Sequence, residues 1–491
     1  MSEFVDVIVV GAGISGIDAG YHLQTRCPDR SFAILEGRER LGGTWDLFRY
    51  PGIRSDSDMF TLGFGFRPWT DPKAIADGPS ILRYLDEAVA DYDLERHIRY
   101  RHRVIAADWS TADAAWTVTI ERGEAGERVE MRCNFLFMCA GYYNYAQGHA
   151  PEFAGSDDFA GRIVHPQFWP DDLDYAEKQV VVIGSGATAV TLVPEMARTA
   201  AHVTMLQRSP TYVVARPSED KVANWLRGKL PAKLAYGMTR WKNVLLGQYF
   251  YKRARQYPAQ AKARILGWAR AHLDEETIDR HFTPSYNPWD QRLCLVPDAD
   301  LFRTLRDGKA TVVTDRIARF TAGGILLESG TELPADIIVT ATGLEMQLMG
   351  GLAVSVDGAV VDPAKSLQYK GMMFSDIPNL ATSFGYTNAS WTLKADLTCQ
   401  YVCRLLNAMK RRGMRQATPR VTDPEVAAEP YLDFTSGYVQ RALDRLPKQG
   451  NKAPWKLKQS YAHDLLMLRF GKVDDAMEFS NPVPRPARRA A

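Results

Sequence analysis

Residues 5–16 read VDVIVVGAGISG. The apolar run of Val and Ile predicts a buried strand, and the segment IDAGYHLQ after it predicts a helix. Between them, Gly11 permits a tight turn, Gly13 lets the backbone approach a pyrophosphate, and Gly16 allows the helix to pack closely. The N–H groups at the start of such a helix favour phosphate binding. A single G-x-G-x-x-G string is weak evidence, because glycine turns also serve structure alone.

An acidic residue stands at the distance that this motif requires. Glu36 ends SFAILE, which predicts the second strand, about 20 residues after Gly16. At this position a carboxylate accepts hydrogen bonds from ribose hydroxyl groups. The segment from Gly11 to Glu36 therefore predicts a complete dinucleotide-binding unit.

The same pattern occurs a second time with a different charge. The segment QVVVIGSGATAV carries Gly184, Gly186 and Ala189 at the three glycine positions. The next strand, HVTMLQRSP, ends with Gln207 and Arg208 where the first unit has its acid. A guanidinium there favours the 2′-phosphate of NADPH over the ribose of NADH. Two such units, each in a strand-turn-helix context, are hard to explain by chance.

Two dinucleotide folds in one chain indicate a flavoprotein that takes hydride from a nicotinamide nucleotide. We expect an α/β fold with two Rossmann-like domains, FAD in the first and NADPH in the second, and an inserted helical segment. The buried-strand patterns CNFLFMCAGYYN and ADIIVTATGL indicate where the chain passes between the two domains. We expect the FAD domain to comprise residues 1–145 and 345–491. We expect the NADPH domain to comprise residues 146–217 and 284–344, and the helical insertion to comprise residues 218–283.

Composition excludes several classes of protein. The net charge of +2 says nothing about nucleic acid, and the sequence has no zinc-finger, homeodomain or RNA-binding signature. The six cysteines are scattered without the paired motif of a flavin disulfide reductase, and we predict no metal site. The first strand starts too close to Met1 for a signal peptide, so we expect a cytoplasmic protein. No apolar run reaches the roughly 18 residues of a membrane span.

Charge is uneven along the chain. Residues 221–273 contain 12 Lys or Arg and no Asp or Glu, with Trp and Tyr interleaved. A basic helical face with such aromatics suits the surface of an anionic membrane. The other interpretation, a solvated lid whose aromatics pack on the protein, is somewhat stronger on sequence alone. Peripheral membrane contact is therefore a hypothesis at this point.

Several longer strings resemble the type I Baeyer-Villiger monooxygenases. Residues 159–170 read FAGRIVHPQFWP, which resembles the F-x-G-x-x-x-H-x-x-x-W-P string of that family. Residues 42–56 read GGTWDLFRYPGIRSD and resemble its G-G-x-W-x-x-x-x-Y-P-G-x-x-x-D string. Four further segments are similar to the mycobacterial ethionamide-activating branch: SDSDMFTLGFGFRPW, YNPWDQRLCLVP, GYTNASWTLKADL and LPKQGNKAPW. The likeness runs almost end to end.

The resemblance implies an NADPH- and O2-dependent enzyme in which FAD captures oxygen as a C4a-peroxyflavin. Attack of this peroxide on a ketone gives an ester or lactone, with sulfoxidation as a side activity. The peroxide must stay anionic to attack a carbonyl, and a fixed cation serves that need. By the motif, this catalytic cation is Arg292 in WDQRLC, positioned by Asp56. An ordinary loop ion pair, with Asp290 as an equally near acid, is the alternative.

The resemblance also implies cofactor contacts. Gln291 stands where the family often has a lysine for the 2′-phosphate, so the preference for NADPH should rest mainly on Arg208 and be less strict. The positions that match FAD contacts, besides the first glycine motif and Glu36, are Ser15, Thr44, Trp45, Asp46, Leu47 and Val104. The positions that match NADPH contacts are Gly184, Ser185, Gly186, Ala187, Thr188, Ala189, Val190, Gln207 and Arg208, with Arg54, Ser55 and Asp56 approaching from the FAD side.

Histidine titrates near neutral pH, so His165 in FAGRIVHPQFWP is a candidate for catalysis. Its string, however, lies in the connection between the two nucleotide domains. We therefore expect His165 and Trp169 to be structural and to govern how the domains move as NADPH is used.

The reaction itself has alternatives. Arg292 favours ketone oxygenation, because an anionic peroxide attacks carbonyl groups. A flavin monooxygenase that mainly oxygenates nitrogen or sulfur would instead use the protonated hydroperoxide. A non-catalytic FAD and NADPH redox sensor and a plain NADPH oxidase are further alternatives. Neither the ketone nor the oligomeric state follows from the sequence.

Overall fold

The structure is a computed structural model that describes residues 2–291, 293–431 and 435–482. Its helices are α1 (Ile14–Arg26), α2 (Thr44–Leu47), α3 (Met59–Leu62), α4 (Gly78–Asp91), α5 (Ala187–Met196), α6 (Lys221–Arg227), α7 (Ala232–Gln256), α8 (Pro258–Ala269), α9 (Glu275–His281), α10 (Asp300–Arg306), α11 (Trp391–Arg411), α12 (Gly437–Gln440) and α13 (Tyr461–Phe470).

The strands form two main sheets and several small ones. In chain order they are β1 (Glu3–Val10), β2 (Phe32–Leu35), β3 (Ile98–Arg99), β4 (His102–Ser110), β5 (Ala115–Arg122), β6 (Glu127–Met138), β7 (Tyr143–Gly148), β8 (Arg162–Val164), β9 (Gln179–Ile183), β10 (His202–Gln207), β11 (Val213–Arg216), β12 (Cys294–Pro297), β13 (Ala310–Thr314), β14 (Ile317–Thr321), β15 (Gly324–Leu327), β16 (Glu332–Pro334), β17 (Ile337–Thr340), β18 (Leu344–Met346), β19 (Ala353–Val356), β20 (Ala359–Val360), β21 (Gln368–Tyr369), β22 (Met373–Phe374), β23 (Leu380–Thr382), β24 (Gln416–Pro419), β25 (Ala428–Pro430), β26 (Lys448–Gly450) and β27 (Met477–Ser480).

The larger sheet is built around the first strand. β1 pairs in parallel with β2 on one side and with β6 on the other. Its apolar run is buried on both faces, as is usual for a strand in the middle of a parallel arrangement. The described strands of this sheet have the order β20-β19-β4-β5-β6-β1-β2-β3, with β23 beside β6. Strands from beyond residue 345 thus return to the sheet that the first loop begins.

The second sheet is parallel throughout, with the order β13-β10-β9-β17-β8. Alternate residues of β9 pack into two different hydrophobic clusters: Val180 and Val182 on one face, Val181 and Ile183 on the other. Helices α5 and α10 contribute to the first cluster, and the small antiparallel sheet β14-β15-β16 covers the second. A strand buried on both faces explains the continuous apolar pattern of QVVVI.

A pair of short strands connects the two sheets. β7 follows β6 of the larger sheet, β18 follows β17 of the second sheet, and the two pair antiparallel with each other. The predicted strand patterns CNFLFMCAGYYN and ADIIVTATGL therefore end where the chain leaves each sheet. The two segments in which the chain passes between the sheets therefore lie next to each other.

The helices α6 to α9 lie in the chain between β11 and β12, which pair in parallel. The longest of them, α7, reaches the first unit and packs on α3. The buried guanidinium of Arg240 donates from Nη1 to the carbonyl oxygens of Phe60 and Gly63, at 2.8 Å each, and the hydroxyl of Tyr236 donates to the carbonyl oxygen of Phe64 at 2.9 Å. In the part of the chain that the structure describes, no helix combines the length and apolar character needed to cross a bilayer.

Helix α11 packs against α1 beneath the first nucleotide loop, within the largest hydrophobic cluster. All six cysteines are buried and none forms a disulfide. Cys399 and Cys403, on the buried side of α11, serve as small apolar side chains in this packing.

Candidate functional site

In the first nucleotide loop, the backbone packs so tightly that Gly11 and Gly16 leave no room for a side chain. Gly11 has a φ of +103°, and a Cβ built on it would lie 2.7 Å from the carbonyl oxygen of Cys139. A Cβ on Gly16 would lie 1.8 Å from the carbonyl oxygen of Gly11. Helix α1 begins at Ile14 and no described side chain caps it, so its first N–H groups can face an anion. The loop therefore fits the pyrophosphate of a dinucleotide.

Glu36 is held at the end of β2 by two backbone donors. Its Oε2 accepts a hydrogen bond from the N–H of Ala12 at 2.8 Å, and its Oε1 accepts one from the N–H of Arg38 at 2.9 Å. Burial raises the pKa of this carboxyl, and the two backbone donors oppose that rise. Because the carboxylate also lines the cavity described below, its position suits the predicted contact with ribose hydroxyls.

The segment 42–56 divides into residues that face the cavity and residues that anchor the segment. Thr44 and Trp45 line the cavity. The carboxylate of Asp46 is buried and accepts hydrogen bonds from Nη2 of Arg38 at 2.6 Å and from Nη2 of Arg49 at 3.3 Å. Asp46 therefore anchors the short helix α2 through two arginines.

Asp56 lies on the cavity wall, exposed, together with Arg54 and Tyr50. Nη1 of Arg54 donates to Asp300 at 2.5 Å, which ties this segment to the start of α10. Burial raises the pKa of Tyr50 to about 12, with a hydrogen bond to Thr188 lowering it and the charge of Asp56 raising it. Tyr50 thus lies between Asp56 and the second nucleotide loop, a position that sequence reasoning missed.

The second loop repeats the turn of the first but is more open. Gly184 has a φ of +134°, and a Cβ on it would lie 2.4 Å from the carbonyl oxygen of Ala341. A Cβ on Gly186 would meet nothing within 4 Å. Helix α5 begins at Ala187 without a capping side chain among the described residues, so it also offers N–H groups to a phosphate.

Gln207, a predicted NADPH contact, has its side-chain amide bonded to protein groups. Its side chain is buried, and Nε2 donates to the carbonyl oxygen of His281 at 2.7 Å and to Oγ1 of Thr314 at 2.9 Å. The amide is therefore engaged inside the protein. Arg208, the next residue, is exposed and is the side chain of this pair that can reach a bound nucleotide.

One cavity of about 1910 Å³ connects the two loops. The predicted site residues on its lining are Gly11, Gly13, Ser15, Glu36, Thr44, Trp45, Arg54, Ser55, Asp56, Val104, Ala187 and Thr188. Of the described site residues, those off the lining are Gly16, Asp46, Leu47, Gly184, Ser185, Gly186, Ala189, Val190, Gln207 and Arg208. Some of these are packing positions, such as Ala189 and Val190, which are buried under the second sheet.

Arg292, the predicted catalytic cation, lies outside the described residues. Trp289 and Leu293, close to it in sequence on either side, both line the cavity. The alternative acid Asp290 accepts a hydrogen bond from Nη1 of Arg255 at 2.6 Å. The chain on both sides of position 292 thus reaches the cavity that also contains Asp56.

Aromatic contacts that the sequence analysis missed close the first loop. Nε1 of Trp391, at the start of α11, donates to Oγ of Ser15 at 2.7 Å. The ring of Tyr142 stacks on Trp391 with 5.2 Å between centroids. Trp391 lies in GYTNASWTLKADL, one of the segments that resemble the family, but a contact across 376 residues has no local sequence signal.

His165 lies at the connection between the sheets and off the cavity lining. A Cβ on Gly148, at the end of β7, would lie 2.1 Å from its ring. Its Nδ1 accepts a hydrogen bond from the N–H of Gln167, whose side-chain Nε2 donates to the carbonyl oxygen of Asn144 at 2.8 Å. Burial lowers the pKa of His165. These contacts suit the predicted structural role.

One buried group of possible metal ligands lies away from the cavity, between α1 and α11: Asp18, His22 and Asp396. Nε of Arg26 donates to Nδ1 of His22 at 3.0 Å, so the ring carries its proton on Nε2, which lies 2.8 Å from Oδ1 of Asp396. A metal-bound histidine normally uses its second nitrogen as a donor, whereas here that nitrogen accepts. We therefore interpret the group as a hydrogen-bonded contact between helices.

Comparison with known proteins identifies the kind of protein that has this site. Residues 71–226 match the family described as flavin-binding monooxygenase-like, and residues 9–87 match an NAD(P)-binding Rossmann-like domain. The FAD-containing monooxygenase EthA of Mycobacterium tuberculosis is 57% identical over 477 residues, which cover 97% of this chain and 97% of EthA. The chain belongs to the flavin-binding monooxygenase-like family.

Other members and neighbours agree. The probable FAD-binding monooxygenase AlmA of Acinetobacter baylyi is 49% identical over 479 residues, 97% of this chain and 96% of AlmA. An oxidized steroid monooxygenase bound to NADP has a TM-score of 0.75 at 22% identity, covering 97% of this chain and 100% of its own. A closed cyclohexanone monooxygenase has a TM-score of 0.75 at 19% identity, covering 98% and 100%. The predicted fold class and family resemblance of this flavin-binding monooxygenase-like protein are confirmed.

Proposed function

We propose that this flavin-binding monooxygenase-like protein contains FAD and uses NADPH and O2 to convert ketones to esters or lactones, with sulfoxidation as a side activity. The observation that supports it is the single cavity that connects both nucleotide loops and has Asp56 on its wall. The FAD in the names of both relatives, and the NADP bound to the steroid monooxygenase, fit the two predicted cofactors. When bound, the reduced flavin supplies the activation of oxygen.

The residues of each loop have separate tasks in this proposal. The uncapped start of α1 binds the pyrophosphate of FAD, and Glu36 orients its ribose. The start of α5 binds the pyrophosphate of NADPH, and Arg208 binds the 2′-phosphate. Arg292 supplies a cation that needs no proton, and Asp56 positions it. The role of this pair rests on the family resemblance and on the placement of Asp56, Trp289 and Leu293 at the cavity.

Product analysis tests the reaction. Purified, FAD-loaded protein is incubated with NADPH, oxygen and a panel of a linear ketone, phenylacetone and thioanisole. Ester formation coupled to NADPH consumption is the expected result. Sulfoxide without ester would favour the heteroatom oxygenase. Hydrogen peroxide as the sole product would favour the NADPH oxidase, and an absence of NADPH turnover would favour the redox sensor.

A variant separates the role of Arg292 from flavin reduction. Arg292→Ala should leave FAD reduction by NADPH largely intact and abolish ester formation, because the anionic oxidant loses its fixed cation. The matched control is Arg306→Ala, an exposed arginine of α10 that is paired with Asp307 off the cavity lining. A variant at position 292 that still makes ester would contradict the assigned role.

We also propose that the domain division follows the two sheets. The paired strands β7 and β18 lie at the predicted crossings near residues 145 and 345, and α6 to α9 lie within the predicted insertion. Limited proteolysis with and without NADP⁺ tests this division, with cleavage expected first in the insertion. Cleavage that separated β1 from β6 first would contradict it.

Peripheral membrane contact through residues 221–273 is likewise our proposal, for a protein that otherwise works in the cytoplasm. Its support is basic charge on exposed positions: Lys229, Lys233 and Lys252 are exposed, and none has an acidic partner among residues 2–291, 293–431 and 435–482. Such charges are attracted to anionic headgroups. Flotation with anionic liposomes tests it; protein that stays wholly in the aqueous fraction would remove it.

A further inference from the structure

Helix α7 has an apolar face turned away from the cavity. Leu234, Met238, Trp241, Leu245 and Tyr249 recur at spacings of three or four residues, which places them on one side of the helix. They are 44 to 57% exposed, and none of them lines the cavity. We name these five residues the outer stripe. Its exposure therefore faces the outside of the protein.

The opposite side of the same helix forms cavity wall. Asn243, Gly247, Phe250 and Ala254 follow the same spacing, and all four line the cavity. On α7, the inner side faces the cavity, where Phe250 is 39% exposed, and the outer stripe faces away from it.

Neighbouring helices extend the exposed apolar surface. Trp225 of α6 is 63% exposed, and Leu466 and Phe470 of α13 are 63% and 71% exposed. The ring of Trp241 in the outer stripe lies 5.8 Å from that of Tyr461, the first residue of α13. Of the 18 exposed large hydrophobic side chains in the described chain, 11 lie within residues 222–268. Five of these 11 line the cavity: Val222, Leu246, Phe250, Tyr257 and Trp268. The other six, Trp225 and the outer stripe, do not, and an exposed apolar patch of this kind is typical of an interaction surface.

The charge of the surface around the outer stripe indicates which kind of partner it binds. Among the 12 basic residues of 221–273, Lys229, Lys233 and Lys252 are exposed and have no acidic partner within the described residues. A second copy of the chain docked on this face would bring these like charges together. An anionic bilayer offers both apolar depth for the outer stripe and negative headgroups for the exposed lysines. The bilayer is therefore the occupant that these observations favour.

The outer stripe and the cavity wall are in direct contact. The ring of Tyr249, in the outer stripe, meets the ring of Phe250, in the cavity wall, edge to face at 5.6 Å between centroids. Leu246 also lines the cavity and is 47% exposed. An α-helix is only about 10 Å across, so the cavity and the outer surface are separated by this one helix.

We propose that the outer stripe enters the surface of an anionic bilayer and that the cavity receives its substrate directly from that bilayer, past Leu246 and Phe250. The substrate class is an apolar ketone or sulfide that partitions into lipid. The reacting group of the substrate, a ketone or sulfide, rests on the proposed function. The docking of the outer stripe on the bilayer does not depend on it. A substrate that follows this path avoids water between the bilayer and the cavity.

Flotation tests the docking. The FAD-loaded protein is mixed with vesicles of phosphatidylcholine and phosphatidylglycerol, or of phosphatidylcholine alone, without NADPH. Wild type should float with the anionic vesicles. The double variant Leu245→Gln with Tyr249→Gln, which changes no cavity residue, should bind them at least about tenfold more weakly. The matched control Val360→Gln, at a side chain that is 86% exposed on β20, should bind as wild type does.

Kinetics test the path of the substrate. Wild type is given 2-tridecanone dissolved in the anionic vesicles, and butanone in water. The rate on tridecanone should follow its mole fraction in the bilayer, at constant total concentration. The double variant should lose at least about tenfold on vesicle-borne tridecanone and stay within about twofold on butanone.

Several outcomes would overturn the inference. The first is that wild type floats equally well with neutral and with anionic vesicles. The second is that the rate on tridecanone follows its total concentration and not its mole fraction in the bilayer. The third is that wild type self-associates and the double variant does not. Failure of the proposed function would look different: butanone would give no ester, and the path would then be tested with a vesicle-borne long-chain sulfide.

Discussion

A Cβ built on Gly13 of the first nucleotide loop would lie 3.4 Å from Cα of Gly43, whereas a Cβ on the equivalent Gly186 of the second loop would meet nothing within 4 Å. Ser15 in the first loop is buried and receives the indole N–H of Trp391. The residue at the same motif position in the second loop is Thr188, which is partly exposed and lines the cavity. One motif therefore occurs in two very different surroundings.

The difference teaches how two nucleotides can be used differently by one chain. The first loop is covered by the segment around Gly43 and by the start of α11, which come from distant parts of the sequence. A ligand enclosed in this way dissociates slowly, which suits a resident flavin. The second loop is open, which suits a nucleotide that must enter and leave during turnover.

The largest effect on cofactor binding is expected at the third glycine position of the motif, where the two loops carry different residues. Gly16→Ala should lower flavin affinity about 100-fold, because its Cβ would meet the carbonyl oxygen of Gly11 at 1.8 Å and strain the loop by about 3 kcal/mol. The equivalent position of the second loop is already alanine, Ala189, and is buried. Flavin content of the purified variant, by absorbance, checks the prediction.

The matched change is Ala189→Gly in the second loop. It should destabilise α5 by about 1 kcal/mol and leave the flavin content unchanged. If Gly16→Ala bound flavin as well as Ala189→Gly does, the contrast between the loops would be lost.

The next effect concerns the charge of the second loop. Arg208→Ala should raise KM for NADPH about tenfold, because an exposed charged contact to the 2′-phosphate contributes about 1.4 kcal/mol. KM for NADH and the flavin content should not change, and Arg306→Ala serves as the control. An equal rise in both KM values would mean that Arg208 does not read the 2′-phosphate.

A smaller effect is expected from the cover of the first loop. Trp391→Phe keeps the ring but removes the donor to Ser15, so flavin affinity should fall about fivefold, equivalent to about 1 kcal/mol. Ser185→Ala in the second loop should leave flavin affinity unchanged. Titration of the apoprotein with FAD measures both, and equal effects of the two variants would contradict the proposed difference in enclosure.

The smallest effect concerns the connection between the two regions. Burial lowers the pKa of His165 below its ordinary value of 6.5, so below that pH the unfolded chain binds a proton that the folded chain resists. The contribution of His165 to stability is therefore present at higher pH and lost as pH falls below 6.5.

A thermal scan at two pH values measures this contribution. Between pH 7.5 and 5.5 the Tm of wild type should fall about 1 °C more than that of His165→Gln, which cannot titrate. Identical pH dependence in the two proteins would show that His165 does not sense its buried surroundings.

The sequence predicts much of the fold because the relevant signals are local. The apolar run of β1, its glycines and the helix that follows lie within a few residues of each other, and the second unit repeats them. The helix predicted after the first glycine loop is α1, and the basic helical segment predicted at residues 221–273 contains α6, α7 and α8. Periodicity and turn chemistry are enough for such elements.

The site was predicted less completely, because sequence position does not show where a side chain points. Gln207 stands at the ribose position of its motif, yet its amide is engaged with His281 and Thr314. Asp46 stands in the family string, yet its carboxylate is buried against two arginines. Tyr50 was missed although it lies in the same string.

Two dinucleotide loops, the acid of the first, the arginine of the second and a basic helical insertion all follow from the amino-acid sequence alone. The three-dimensional packing was needed to show that Trp391 covers the first loop and that the second loop is more open. It was also needed to show that α7 has the cavity on one side and an apolar face on the other. The physical reason is that motifs depend on local backbone geometry, whereas enclosure and exposure depend on packing between residues far apart in the chain.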